Sequence, residues 1–351
     1  MHQKLIIHVG PHKTGTTSLQ HFLFKNHLAL LKLGIVYPVA HLGEQRAHHR
    51  FAQANRGRID QKERRVLSRE EELVPLLDEI RASNADTAIL SSEAFFATSK
   101  PDIEILHESL RAFSPVVVFY ARQQDDGYVS SYAQCSKSPI HRYASPIETH
   151  LDDPVRMNTD LNIYGHASNW AKVFGKENVA ARLYDRKISV PEDFLRFLDE
   201  RRGAGPVLAS AMKRFSLTEA LNNSPSLEAT EITRLFKSQC LDPERRRAVF
   251  NLMNRHFSDG RPVARLLSTS DRRAILEFFR SSNEKLFREF FSSENRFAPE
   301  LLLQGPETAR EALTIEDMTK AIAYLVDLQS VVNPGPLRRV VNLAARFLRP
   351  A

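Results

Sequence analysis

The stretch Leu5-Ile6-Ile7-His8-Val9-Gly10-Pro11-His12-Lys13-Thr14-Gly15-Thr16-Thr17-Ser18 constrains the fold of this chain more than any other. Its apolar run reads as a buried strand, and a glycine-bearing turn follows. A helix is expected from near Thr16, with Leu19, Phe22 and Leu23 on one face. Strand, turn and helix in that order make an anion cradle. Backbone N–H groups of the turn point at the ligand, and the helix N-terminus adds about half a positive charge. Lys13 adds a full one. A phosphate or sulfate site is the expectation.

The position of the lysine narrows the chemistry. Gly10 and Gly15 have the spacing of the G-x-x-x-x-G-K-[ST] loop, but Thr16 follows Gly15 and the lysine stands earlier, at Lys13. A nucleoside triphosphatase needs its lysine on the β/γ-phosphates and a hydroxyl on Mg²⁺. Here the charge falls elsewhere along the phosphate chain. The segment resembles the sulfotransferases that use 3′-phosphoadenosine 5′-phosphosulfate (PAPS). Their 5′-phosphosulfate loop reads Pro-Lys-Ser/Thr-Gly-Thr-Thr; this chain has His12-Lys13-Thr14-Gly15-Thr16-Thr17, with Pro11 displaced by one. The blander reading of the same residues is a Gly/Thr-rich turn with a solvated lysine.

A second signature lies downstream. Pro115–Tyr120 is a β-branched and aromatic run that reads as another buried strand. Arg122 follows it, and Ser130 stands eight positions later. That matches the R-x7-S interval of the sulfotransferase family, whose arginine and serine grip the 3′-phosphate. Arginine is a bidentate partner for phosphate, and serine adds a neutral donor. The competing reading pairs Arg122 with Asp125 or Asp126 on the surface.

Strands are expected at Leu5–Val9, Thr87–Ser91, Val116–Tyr120 and Val179–Leu183, with a short one at Ile35–Tyr37. Helical patterns lie between them at Thr16–Lys32, Ser68–Ala82, Ile103–Phe113, Asp125–Lys137 and Leu161–Phe174. This alternation argues for an α/β fold, a parallel β-sheet flanked by helices, with both phosphate-gripping loops at its carboxyl edge. The resemblance implies the P-loop-like sulfotransferase version of that fold. After about residue 205 no convincing strand follows, and helices are expected at Glu228–Gln239, Pro243–Phe257, Asp271–Phe291 and Ile315–Leu328. The division expected is therefore a PAPS-binding core over 1–204 and a mainly helical C-terminal cap over 205–351. Asn222–Leu227 and Ser282–Glu284 also look like segments of bacterial sulfotransferases, although such Asn/Ser clusters commonly cap helices.

By resemblance, Lys13 is the cation at the leaving phosphate oxygen, and Thr14, Gly15, Thr16, Thr17 and Ser18 cradle the 5′-phosphate. Sulfuryl transfer to a hydroxyl or amine also needs a general base. Glu93, at the end of the strand Thr87–Ser91, is one candidate; the pair His48 and His49 is the other. His8, inside a strand, reads as a satisfied core residue, while His12 in the loop is within reach of phosphate or substrate. The expected cofactor is PAPS, with 3′,5′-bisphosphoadenosine as product and no metal required. The runner-up function is a Mg-dependent P-loop kinase or NTPase. The glycine-rich RKGxxG segment of cytosolic small-molecule sulfotransferases is absent, with Lys213, Arg214 and Arg261 as alternative replacements, which points to a bacterial or carbohydrate-type branch.

Composition bounds the rest. The net charge of +7 suits an anionic cofactor, and the basic residues are scattered, which ranks a nucleic-acid partner last. Cys135 and Cys240 are too few for a disulfide framework and read as free thiols in a reducing compartment. No signal peptide or membrane span is expected, so the location expected is cytoplasmic. The stretch Leu337–Arg349 is amphipathic and basic, fitting either weak membrane-surface contact or docking on the protein's own core. The acceptor, a glycan or other metabolite, and the oligomeric state stay open.

Overall fold

A computed structural model describes residues 3–11, 13–43, 45–57, 66–138, 145–151, 161–203, 205–210, 215, 224–239, 242–304 and 306–331. Its contacts divide the chain into two units. The first combines Met1–Gly127, Val155–Asn222 and Leu276–Leu301; the second combines Tyr128–Pro154, Asn223–Ile275 and Leu302–Ala351. The expected division was a single cut after residue 204. These units are instead interleaved, because Tyr128–Pro154 joins the second and Leu276–Leu301 returns to the first.

The first unit is the α/β layer structure. In chain order it runs β1 (Lys4–Val9), α1 (Thr16–Lys25), α2 (His27–Leu31), β2 (Ile35–Val36), α3 (His49–Asn55), α4 (Arg69–Ala82), β3 (Thr87–Ser92), α5 (Lys100–Ser109) and β4 (Ser114–Ala121). Then come α6 (Gln124–Lys137), which carries the chain into the second unit, a helix at Ile163–Phe174, β5 (Val179–Leu183) and a helix at Val190–Arg202. The five strands form one sheet in the order β2-β3-β1-β4-β5. Every pairing is parallel.

Register fixes what lies at the carboxyl edge. Val9 pairs with Ser92, and Ala121 with Leu183, so four strands end close together. The residues that follow them are Gly10, Glu93, Arg122 and Tyr184. The chain winds to opposite sides of β1, toward β3 and toward β4, which makes the β1/β4 crevice the topological switch point.

Alternation along β1 builds two cores. Leu5, Ile7 and Val9 face a layer containing Phe51, Leu76, Ile80, Ile103, Leu106 and Trp170. Ile6 points the other way, toward Phe22, Leu23, Phe194 and Leu198. Both faces of the sheet are therefore dry, as a parallel sheet requires.

Most expected elements are present, with shifted ends. The helix expected over Thr16–Lys32 is two helices, because Asn26 turns its side chain back onto the Phe22 carbonyl at 2.9 Å and breaks the path. Ser68 caps α4 by accepting from the Glu71 N–H. The helix expected over Asp271–Phe291 is likewise divided, into Thr269–Phe278, Arg280–Leu286 and a wider turn at Phe287–Phe291.

Within the second unit, helices Leu227–Gln239, Pro243–His256 and Ile315–Val331 share an apolar cluster of Ile232, Phe236, Val249, Met253, Ala321 and Leu325. Ser226 caps the first of these, accepting from the Ala229 N–H at 3.2 Å, so the capping reading of that cluster holds there. Asn222, Asn223, Lys213, Arg214, Cys240 and the segment 337–349 lie outside the described residues. Cys135 is buried and forms no disulfide. No described helix is long and apolar enough to cross a membrane.

Candidate functional site

The loop after β1 is built around two glycines that no other residue can replace without strain. A Cβ on Gly10 would stand 2.1 Å from Thr16 Cγ2. Gly15 has φ of +77°, and its Cβ would meet Val190 Cγ2 at 2.7 Å. Gly15 is the N-cap of α1, which has neither a side-chain cap nor an acidic residue in its first turn. A helix start of this kind favours negative charge at its N–H groups.

Lys13 has φ of 67°, the left-handed region that a lysine rarely adopts. Its carbonyl accepts from Nη1 of Arg122 at 2.6 Å. This contact joins the two motifs read from the sequence, 109 positions apart, at the switch point of the sheet. Arg122 is buried, with 8% of its surface exposed, stands 5.2 Å from the ring centroid of Tyr184, and has no partner for Nε among the described residues. Burial lowers its pKa, against the raising effect of Asp126. Asp126 Oδ2 lies 3.6 Å from Arg122 and 3.1 Å from Arg186. The pairing of Arg122 with Asp126 is therefore real, and it coexists with the loop contact.

The hydroxyls of the loop divide by role. Thr14 is buried and donates to the Pro11 carbonyl at 2.8 Å, so its side chain closes the turn inward. Of the residues expected to cradle the phosphate, Thr14 has its hydroxyl committed to the loop itself. Thr16 donates to Oε2 of Glu93 at 3.0 Å. Thr17 and Ser18 remain half-buried in the first turn of α1.

Glu93 is thus set against the loop itself, at the start of a short turn over Glu93–Phe95. His49 Nδ1 lies 2.7 Å from Ser92 Oγ, which anchors it to the same end of β3. His48 does not share that position. Its Nδ1 accepts from the Ser91 N–H at 3.0 Å, so Nε2 carries the hydrogen and donates to the Pro38 carbonyl at 3.0 Å. Burial lowers its pKa to about 4. The expectation of His48 as a base is corrected: both nitrogens are committed to backbone, and the ring is a buried strut.

His8 is half of what was expected. It is fully buried, and its Nδ1 meets Ser91 Oγ at 2.8 Å, but Nε2 has no partner among the described residues. Burial lowers its pKa to about 4, with the charge of Glu93 pulling the other way. His12 lies outside the described residues. Ser130 is half-buried on α6, in the stretch that belongs to the second unit.

Two residues escaped the sequence reading. Tyr184 and Arg186 follow β5, and only the register of β5 on β4 brings them beside Arg122. Asn283 comes from the Ser282–Glu284 segment that the sequence did single out. Its amide exchanges two hydrogen bonds with Gln124, at 2.6 and 3.0 Å, and so fixes the first turn of α6 just past Arg122. It lies inside its helix and does not cap it. Arg261, one of the expected replacements for the absent glycine-rich segment, is held by Glu228, Glu311 and Asp317 in the second unit.

Fold and edge together define a parallel α/β protein with a glycine-bearing strand–loop–helix at the switch point of its sheet. No protein-family model matches the chain. Over 151 residues it is 31% identical to an uncharacterized protein of Archaeoglobus fulgidus, covering 39% of this chain and 40% of that one. The chain therefore spans well under half the length of that relative. Among solved structures it is similar to a sulfotransferase from Alicyclobacillus acidocaldarius, with 14% identity and a TM-score of 0.43 over 67% of this chain and 93% of the other.

Proposed function

We propose that the protein is a sulfotransferase that moves a sulfuryl group from PAPS to a hydroxyl or amine of an acceptor, a glycan or other metabolite. The observation that carries this reading is the hydrogen bond from Arg122 to the Lys13 carbonyl. It brings a loop that resembles a phosphosulfate loop together with the arginine that resembles the family's 3′-phosphate ligand.

In this reading the backbone of Thr14–Thr17 and the start of α1 hold the 5′-phosphate. Lys13 meets the negative charge that grows on the phosphate oxygen as the S–O bond breaks. Arg122 and Ser130 are the 3′-phosphate donors. The acceptor's proton goes to Glu93 or to His49, which are anchored at adjacent positions of β3 and its turn. No divalent metal enters the scheme, and the reaction belongs in a reducing, PAPS-supplied compartment such as the cytoplasm.

The test is a transfer assay with PAPS against a panel of glycans, phenols and amines, reading release of 3′,5′-bisphosphoadenosine. Acceptor-dependent release that survives EDTA supports the reading. ATP turnover that needs Mg²⁺, with no release from PAPS, would replace it with the kinase alternative.

A further inference from the structure

β4 and β5 end side by side, Ala121 opposite Leu183, so Arg122 and Arg186 leave the sheet at one edge. A single oxygen, Oδ2 of Asp126, lies between their guanidinium groups, 3.1 Å from Arg186 and 3.6 Å from Arg122. Neither distance is the roughly 2.7–2.9 Å of a tight charge-assisted bond. An anionic oxygen between two guanidiniums is the arrangement that a phosphate monoester takes, with more oxygens and more charge than a carboxylate brings. Arg122 has only part of itself to give there, because Nη1 holds the Lys13 carbonyl. Arg186 is 56% exposed, and an ion pair that exposed adds little to stability, so the fold gains little from it.

Resting on the sulfotransferase reading, we propose that Arg186 is the second guanidinium of the 3′-phosphate subsite. Asp126 holds the place between it and Arg122 until the phosphate of the nucleotide displaces the carboxylate. Arg186 then sets specificity: it meets the group that separates 3′,5′-bisphosphoadenosine from adenosine 5′-phosphate. It also supplies a cation that the absent RKGxxG segment does not.

The experiment is calorimetric titration of the full chain and its variants with those two nucleotides at about 0.1 M salt. Arg186→Gln should weaken 3′,5′-bisphosphoadenosine about 10-fold and leave adenosine 5′-phosphate unchanged. Arg186→Lys should recover part of the loss. Arg122→Gln should weaken both nucleotides, because it also releases the loop. Unchanged bisphosphate affinity in Arg186→Gln, or an equal loss on both nucleotides, overturns the role of Arg186 while the functional reading stands. A wild-type protein that binds the two nucleotides equally removes the reading itself, and the proposal with it.

Discussion

Two sets of arginines, one in each unit, are held differently. In the second, Arg261 is enclosed by Glu228, Glu311 and Asp317, and Arg310 by Asp271 and Glu148. Arg234 is held at 2.7 Å by Glu231. These are closed networks, in which each cation has been answered by the chain. At the carboxyl edge of the first unit, Arg122 and Arg186 share one oxygen of Asp126 at longer range, and Arg122 keeps a buried Nε with no partner among the described residues. A closed network holds a fold together. A shared carboxylate leaves charge that a ligand can claim.

Lys13→Ala should break the comparison most visibly. On the proposed function it lowers the transfer rate about 10²–10³-fold, with little change in melting temperature, because the residue is half-buried in a strained turn. Steady-state turnover against thermal melting separates the two effects, and unchanged turnover would remove Lys13 from the chemistry.

The buried histidines behind the loop carry the next effect. His8 and His48 each have a folded pKa lowered to about 4 by burial, from an ordinary value of 6.5. Between those values the unfolded chain binds protons that the folded chain does not. Their contribution is complete above pH 6.5 and is lost as pH falls toward 4, on the order of 3 kcal/mol for each. Denaturant unfolding at pH 7 and pH 4.5 measures it; His8→Gln should flatten the dependence, and an unchanged slope would count against a neutral His8.

Arg261→Ala tests the closed side. It strands the buried Glu228 and should cost about 1–3 kcal/mol of stability, leaving the affinity for 3′,5′-bisphosphoadenosine as it was. A loss of nucleotide affinity without a loss of stability would erase the distinction between the two sets of arginines. The smallest effect is expected of Gly15→Ala. A positive φ and the approach of Val190 should cost about 1–2 kcal/mol and lower nucleotide affinity together, since the same turn does both jobs. Parallel melting and titration check it.

Much of the first unit was legible because its signals are local. β5 was read at its observed limits, and β1, β3 and β4 to within two residues, since buried parallel strands are continuous apolar runs. The helix Val190–Arg202 was missed although Ser189 caps it through the Glu192 N–H and Gly203 ends it with φ of 68°. α3 had no such signal: it is a short helix with no side-chain cap.

Lys13, Gly15 and Arg122, which the structure brings together, could be singled out in sequence because motif spacing is a one-dimensional quantity. Tyr184 and Arg186 could not be, because their place depends on which strand β5 pairs with. His48 and His49 were indistinguishable in sequence. One packs inward onto Ser91 and Pro38, and the next residue opens α3 and meets Ser92. One step along the chain separates a strut from a candidate base.

The most direct measurement is calorimetric titration of the wild-type protein with 3′,5′-bisphosphoadenosine, repeated in EDTA and set against ATP with Mg²⁺. The account predicts tight binding that ignores EDTA and exceeds the affinity for ATP. Binding that requires Mg²⁺ and shows no preference for the 3′-phosphate would contradict it.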